Sequence, residues 1–217
     1  MKIVIVNGSP KISKGATNAI INTVRETIGD LHQVFQAMQI CRNSEEEKYK
    51  LIIAIKSCDA LLIAFPLYAD ALPTPLLKTL QYIESQLQKP KNPPKVFAIS
   101  QCGFYEASHN KIALDMIQHF CRRTELKWQY GLGIGTGELL PRSKNIKKAL
   151  TKRIYNAIHT LSHDIMNENC EKCENIYVTT SMPRCIYKFG GHISWKMMAK
   201  KNNAADTLKT MPFKIKQ

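Results

Sequence analysis

The sequence predicts a doubly wound α/β fold in which five parallel strands, in the order 2-1-3-4-5, are joined by right-handed crossovers. Two observations carry that prediction. Ile3-Val4-Ile5-Val6 and Ala60-Leu61-Leu62-Ile63-Ala64-Phe65 are unbroken apolar runs of strand length, the pattern of strands buried on both faces. Between such runs lie segments of helical apolar spacing, so strand and helix alternate along the chain. At 217 residues the chain suits one domain with a sizeable core.

The first strand, near residues 2–7, is a β-branched run that breaks into Asn7-Gly8-Ser9-Pro10. Gly15-Ala16-Thr17-Asn18 then opens a helix expected over 16–28, and a strand near 33–38 and a helix near 45–57 make the second unit. The third strand, 59–65, ends in Pro66-Leu67-Tyr68-Ala69-Asp70-Ala71-Leu72-Pro73; Leu76, Leu77, Leu80 and Ile83 mark the helix that follows over 74–88. Residues 89–94, rich in Lys and Pro, connect that helix to the next strand and are not a domain linker. The fourth strand, 95–101, runs into Cys102-Gly103-Phe104-Tyr105-Glu106-Ala107 and a helix over 108–123. The fifth, 127–134, precedes a helix over 143–165. One domain is therefore expected over 1–165. Residues 166–217 exceed it and are expected to form a helical extension, packed on the domain or on a dimer mate.

Strand, hydroxyl-rich loop and helix start together make a phosphate cradle over the first eighteen residues. Backbone N–H groups at a helix N-terminus are unpaired, and the macrodipole favours an anion there. Ser9, Ser13 and Thr17 can add hydroxyl donors, while Gly8 and Gly15 permit close backbone approach. The loop lacks the Gly-Lys-Ser/Thr ending of a triphosphate loop and the third glycine of a dinucleotide fingerprint, so one phosphomonoester fits better. An ordinary strand-to-helix turn with Ser and Thr caps is the plainer alternative. The loops after the third and fourth strands lie where doubly wound sheets bind ligands, and both are aromatic. A flat ring anchored by a ribityl phosphate would need such a set.

Three segments carry a family resemblance: Asn7 to Asn18 (NGSPKISKGATN), Phe65 to Leu80 (FPLYADALPTPLLKTL) and Cys102 to Asn110 (CGFYEASHN). They resemble the flavodoxin-like NAD(P)H-dependent FMN reductases and quinone reductases, over residues 1 to about 137, including the glycine-rich Gly131-Leu132-Gly133-Ile134-Gly135-Thr136-Gly137. The tail from Pro183 to Asn202 is similar to the C-terminal segment of one bacterial branch of that group. The resemblance implies a flavodoxin-like fold, FMN as cofactor and NADH or NADPH as co-substrate. Electrons would pass to a quinone, nitroaromatic, azo or flavin acceptor in alternating half-reactions. A noncatalytic FMN electron carrier or redox-sensing flavoprotein is the alternative. Where the family commonly has Arg after Gly-Ser-Pro this chain has Lys11, which supplies a point charge without the guanidinium fork.

Carried onto this sequence, the cofactor-binding candidates are Ser9, Lys11, Ser13, Gly15, Thr17 and Asn18 in the first loop. Pro66, Leu67, Tyr68 and Ala69 follow in the second, and Cys102, Gly103, Phe104 and Tyr105 in the third. Backbone N–H groups of 67–69 and 102–105 are the expected donors to the ring edge, with Tyr68 and Phe104 flanking the ring. Tyr68, Tyr105 and His109 are the side chains nearest to a catalytic role, although hydride chemistry belongs to the cofactor. His109 could equally cap its helix. His119, His159 and His163 fall within helices, where packing or surface roles suffice.

Composition sets outer limits. The apolar stretches are no longer than strands, so no transmembrane span is expected, and the N-terminus shows no secretory h-region. Seven cysteines, an odd number scattered through expected core elements, suggest a reducing compartment and hence the cytoplasm. Cys170 and Cys173 lack the second pair of a zinc ribbon and the strand-to-helix setting of a redox motif, so they read as a surface thiol pair, not a metal site. Cys102 reads as a small buried residue in a ligand loop. A formal net charge of +14 suits steering of anionic nicotinamide nucleotides and anionic substrates, and no nucleic-acid recognition motif accompanies it. The excess peaks at residues 175–217, where eight Lys/Arg face one Asp. There Tyr187, Phe189, Trp195, Met197 and Met198 interleave with Lys188, Lys196, Lys200 and Lys201. That tail could pack on the domain or a dimer mate, cover the cofactor, or lie on a membrane surface. Gly190-Gly191 interrupts the apolar stripe that the last reading needs.

Overall fold

The computed structural model describes residues 1–11, 15–42, 45–87, 90–140, 149–167, 170, 174–208 and 210. Six strands are hydrogen-bonded in one wholly parallel sheet: β1 (Ile3–Asn7), β2 (His32–Gln36), β3 (Ala60–Pro66), β4 (Lys95–Gln101), β5 (Lys127–Ile134) and β6 (Ile176–Val178). Their order is β2-β1-β3-β4-β5-β6. Every residue of β1 and β3 is buried, which is why those strands are apolar without alternation.

The side-chain period of two sorts these strands between two cores. Val4, Val6, Leu61, Ile63 and Phe65 point to one face. There they meet α3 (Glu45–Ser57), α4 (Thr74–Gln86) and α5 (Lys111–Thr124) through Leu51, Ile55, Leu76, Leu80, Leu114 and Ile117. Ile3, Ile5, Leu62 and Ala64 point to the other, against α1 (Ala16–Ile28) and α6 (Lys152–Met166) through Ile20, Val24, Ile154, Ile158 and Leu161. Two covered faces leave only the sheet's two ends and its edges open.

The five expected strands are present, but the sheet has a sixth, and the order extends to 2-1-3-4-5-6. β6 lies in the stretch expected to be helical extension and pairs Ile176, Tyr177 and Val178 with Leu132, Gly133 and Ile134. Glycines on β5 make room for it: a Cβ at Gly133 would stand 2.7 Å from the Tyr177 ring. A three-residue edge strand carries too little periodicity to be read from sequence. Other differences are local. Ala37 and Met38, expected at the end of the second strand, belong to a short helix, α2 (Ala37–Cys41). The helix expected over 108–123 starts as a 3₁₀ turn, Ala107–Asn110, before α5. The helix expected from residue 143 is seen from Lys152; residues 141–148 are outside the described set.

Cys170 is not a surface thiol: it is buried in the apolar cluster of the α1/α6 face, while Cys173 is outside the described residues. The compact unit of the sheet runs from Met1 to Ser181. A second unit, Met182–Gln217, holds α7 (Arg184–Lys201), which continues through Gly190 and Gly191 without a break.

Candidate cofactor-binding site

Four loops converge at the carboxyl ends of β1, β3, β4 and β5. In the first, Asn7 is fully buried and acts as a two-sided tie. Its Oδ1 accepts the Ser9 N–H at 3.0 Å and its Nδ2 donates to Asn18 Oδ1 at 2.8 Å, locking the loop to the first turn of α1. Gly8 N–H donates to the Ala64 carbonyl at 2.8 Å. A Cβ at Gly8 would lie 2.7 Å from Leu76 Cδ2 and 2.9 Å from Phe65 Cβ, so the close approach requires glycine. The Lys11 N–H donates to Ser9 Oγ at 3.2 Å. The N-cap of α1 is Gly15, which makes no side-chain capping bond, and Gly15, Ala16 and Thr17 bring the start of the helix to the cavity. Thr17 is 2% exposed, and its hydroxyl makes no hydrogen bond among the described residues.

The second loop is a two-residue hairpin. Tyr68 and Ala71 exchange N–H···O bonds of 3.1 and 3.0 Å, while Ala69 (φ 47°) and Asp70 (φ 59°) are both left-handed, as a type I′ turn demands. Left-handed backbone costs roughly 1–2 kcal/mol for a residue with a Cβ. The turn leaves Tyr68 47% exposed.

The third loop hangs on Asn110, which is fully buried. Its Oδ1 accepts the Ser100 hydroxyl at 2.7 Å, and its Nδ2 donates to the Ala107 and Ile134 carbonyls at 2.9 and 3.2 Å. Asn110 was not among the sequence candidates, yet it ties β4, β5 and the loop together. Burial pushes the Cys102 thiol above its ordinary value; the Asp70 and Glu106 carboxylates push the same way, against hydrogen bonds from the Phe104 backbone and Asn110. A protonated, 3% exposed thiol supports packing, not nucleophilic chemistry.

The fourth loop, Gly135 to Leu139, zips to the third. Thr136 and Gly137 donate backbone N–H groups to the Phe104 and Cys102 carbonyls at 2.6 and 2.7 Å, and Gly135 donates to Val178 at 2.9 Å. A Cβ at Gly137 would overlap the Gln101 side-chain carbonyl, and one at Gly135 the Tyr105 carbonyl.

Together these loops enclose a cavity of about 270 Å³. Ser9, Lys11, Gly15 and Thr17 line one wall, Pro66, Leu67 and Tyr68 a second, and Cys102 and Gly103 a third, as the sequence reading groups them. Ala16, Gln101, Gly137 and Glu138 also line it, though none was a candidate. The glycine-rich run after the fifth strand was the only sequence signal for Gly137; Glu138 had none. Ser13 is outside the described residues. Asn18, Ala69, Phe104, Tyr105 and His109 are not on the cavity wall. Asn18 acts from behind, through Asn7. Phe104, 54% exposed, packs its ring 4.4 Å from the exposed His109 imidazole.

The expected backbone donors are only partly available. Leu67 N–H is bound to the Gln101 carbonyl at 2.8 Å, Tyr68 N–H to Ala71, and Cys102 N–H to Ile134 at 2.9 Å. The Ala69 N–H makes no hydrogen bond among the described residues, whereas the Phe104 backbone is engaged with the Cys102 thiol.

No protein-family model matches the chain, and no curated protein matches it by sequence. Solved structures do match its fold. General stress protein 14 of Treponema denticola, solved in complex with FMN, aligns at 15% identity over 76% of this chain and 96% of its own, with a TM-score of 0.52. An NADPH-quinone reductase from P. pentosaceus aligns at 12% identity over 75% and 98%, TM-score 0.55. The apo form of an NADH:FMN oxidoreductase aligns at 14% over 79% and 93%, TM-score 0.54. With the strand order, these likenesses establish a flavodoxin-like α/β fold. Among the described residues no helix is long and apolar enough to cross a membrane, and no cluster of His, Cys, Asp or Glu could hold a metal ion.

Proposed function

We propose that the cavity holds FMN and that the chain is an NAD(P)H-dependent oxidoreductase passing electrons to a small acceptor such as a quinone, nitroaromatic, azo compound or flavin. The observation that carries this reading is the meeting of the N-terminus of α1 and the Thr17 hydroxyl with the second and third loops around one cavity. The first pair fits a phosphomonoester, with Ser9 and the Lys11 charge beside it. A cavity of about 270 Å³ is slightly below the usual range of ligand sites, which suits a ligand held by its tail with its ring on the open side. Tyr68, about half exposed on the cavity wall, would flank such a ring and exclude water from one side; Phe104 lies off the wall, against His109. When bound, FMN supplies the hydride and electron chemistry; the chain's part is to anchor and orient it. The neighbours' printed names, a quinone reductase and an FMN oxidoreductase among them, support the same reading. The buried thiols of Cys58, Cys102, Cys121 and Cys170 fit a reducing cytoplasm.

Fluorescence titration against FMN and riboflavin tests the anchor. FMN binds far more tightly, and Thr17→Ala weakens FMN by about 10- to 150-fold, the worth of a hydrogen bond to a charged acceptor, while leaving riboflavin nearly unchanged. Equal affinities for the two flavins would sink the cradle. Bleaching of the FMN-loaded protein by NADH or NADPH, and recovery of colour on adding a quinone, distinguishes the enzyme from a noncatalytic carrier, which does not bleach.

A further inference from the structure

We propose that Glu138 and Asp70 set the charge preference of the site, so that it reduces cationic flat acceptors in preference to anionic ones; this rests on the flavin reading given above. The formal charge of +14 on the whole chain favours the opposite ranking. The charges nearest the cavity are distributed otherwise. Among its described lining residues Lys11 is the only cation and Glu138 the only carboxylate. Lys11 keeps to the first loop: a Cβ on Gly15 would stand 3.9 Å from its Cδ. Glu138 keeps to the third, where a Cβ on Gly103 would stand 3.0 Å from its Oε1. Asp70 is the second corner of the hairpin that presents Tyr68 to the cavity. Its carboxylate is close enough to Cys102, on the cavity wall, to help push that thiol above its ordinary value. One cation therefore stands in the phosphate loop, and two carboxylates stand by the loops that would hold the ring.

Distance decides which field an acceptor meets. At physiological ionic strength the Debye length is about 8 Å, so cations on remote elements are screened while charges beside the ring are not. The Lys11 charge is answered by the phosphate it would accompany. Glu138 and Asp70 make no ion pair among the described residues, and a flavin ring brings them no cation. The reaction itself balances without them. The nicotinamide gives up a hydride; a quinone takes that electron pair and its proton, with one further proton from solvent, and leaves as the hydroquinone. A charged substituent on the quinone is kept throughout. The carboxylates thus act on approach and binding, and their effect falls on kcat/KM of the acceptor.

The FMN-loaded full chain, assayed with NADH or NADPH at about 0.15 M ionic strength, tests this on three naphthoquinones. One is neutral, one carries a trimethylammonium group and one a sulfonate. The cationic quinone is expected to show the higher kcat/KM of the charged two. Glu138→Gln and Asp70→Asn each lower the cation-to-anion ratio roughly three-fold, and the double variant lowers it roughly ten-fold. Comparing variants on the same quinones cancels differences in their potentials. Asn tolerates the left-handed backbone that Asp70 occupies, so the hairpin is kept. A merely structural role would scale all three quinones together and leave the ratio in place. A wild-type preference for the sulfonate, or a ratio unmoved in the double variant, overturns the proposal. Failure to turn over even the neutral quinone is a different result: it removes the flavin reading, and this inference with it.

Discussion

The two ends of the sheet carry cavities of opposite character. At the amino ends, between the edge strand β2 and α3, lies a groove of about 870 Å³ whose lining includes Leu31, Phe35, Tyr49 and Ile53. At the carboxyl ends the cavity is about 270 Å³. The larger void has the weaker chemistry. Its Lys50 is already matched to Glu46 at 2.6 Å, and much of its lining is apolar. The smaller one gathers a helix N-terminus, the Thr17 hydroxyl and Gly137, which is too crowded to carry a Cβ. Volume marks where an edge strand is half covered; function follows where unpaired donors converge.

The largest expected effect that separates the two ends is at Asn110. Asn110→Leu removes the acceptor of the buried Ser100 hydroxyl and the donor to the Ala107 and Ile134 carbonyls. Each buried group left unmatched costs about 1–3 kcal/mol. The melting temperature should fall by several degrees and FMN affinity should fall with it. Ile53→Ala in the opposite groove, at an exposed position, should change stability by less than about 1 kcal/mol and FMN affinity not at all. If Ile53→Ala weakens FMN instead, the assignment of the two ends is reversed.

Alkaline pH makes a second, smaller contrast. Burial pushes the Cys58 thiol, beside the amino-end groove, and the Cys121 thiol in the core up to about 12 from 9.0. A raised folded-state value means that the fold holds the protonated thiol. The stability this contributes is fully present below about pH 9 and is lost as pH rises toward 12. Denaturant midpoints should therefore decline across that window, and Cys58→Ala/Cys121→Ala should flatten the decline. In the folded state at neutral pH the exposed Cys185 should alkylate first, with Cys58, Cys102 and Cys121 protected.

Much of this contrast was legible before any coordinates. Ile3 to Val6 and Ala60 to Phe65 announce central strands because covered faces leave no polar positions, and the loops after them had to lie at one end of the sheet. Ser9 and Thr17 stood out as hydroxyls of the first loop, Leu67, Cys102 and Gly103 came through the family resemblance, and all five line one cavity. What escaped depends on partners distant in sequence. Asn110 looks like any polar residue at a helix start until Ser100 and Ile134 are placed around it. Glu138 enters the cavity only because Gly137 and Thr136 zip to the third loop. The hydrogen bonds that consume the Leu67 and Tyr68 N–H groups come from neighbouring strand ends and a left-handed turn at Ala69 and Asp70, which no glycine announces. β6 was hidden because three residues have no period.

The smallest expected effect is the most discriminating about what the cavity holds. Glu138 lines the cavity, and its carboxylate lies over Gly103, where a Cβ would stand 3.0 Å from Oε1. An acid in a cavity meant for a phosphate-bearing ligand opposes binding by repulsion, yet an acid at the ring end can accept an N–H from the ligand. The two roles predict opposite signs. Glu138 is solvent-exposed, so either effect is modest and screened. If only repulsion acts, Glu138→Gln tightens FMN by about two- to five-fold at low salt, and the gain disappears at high salt. That is the expected result, because the phosphate carries the larger charge and a Gln carbonyl can still accept a ligand N–H. Riboflavin, without the phosphate, should show no such gain. Weaker FMN and riboflavin binding alike, at both ionic strengths, would place Glu138 in a direct hydrogen bond to the ring and make the fourth loop part of the recognition surface.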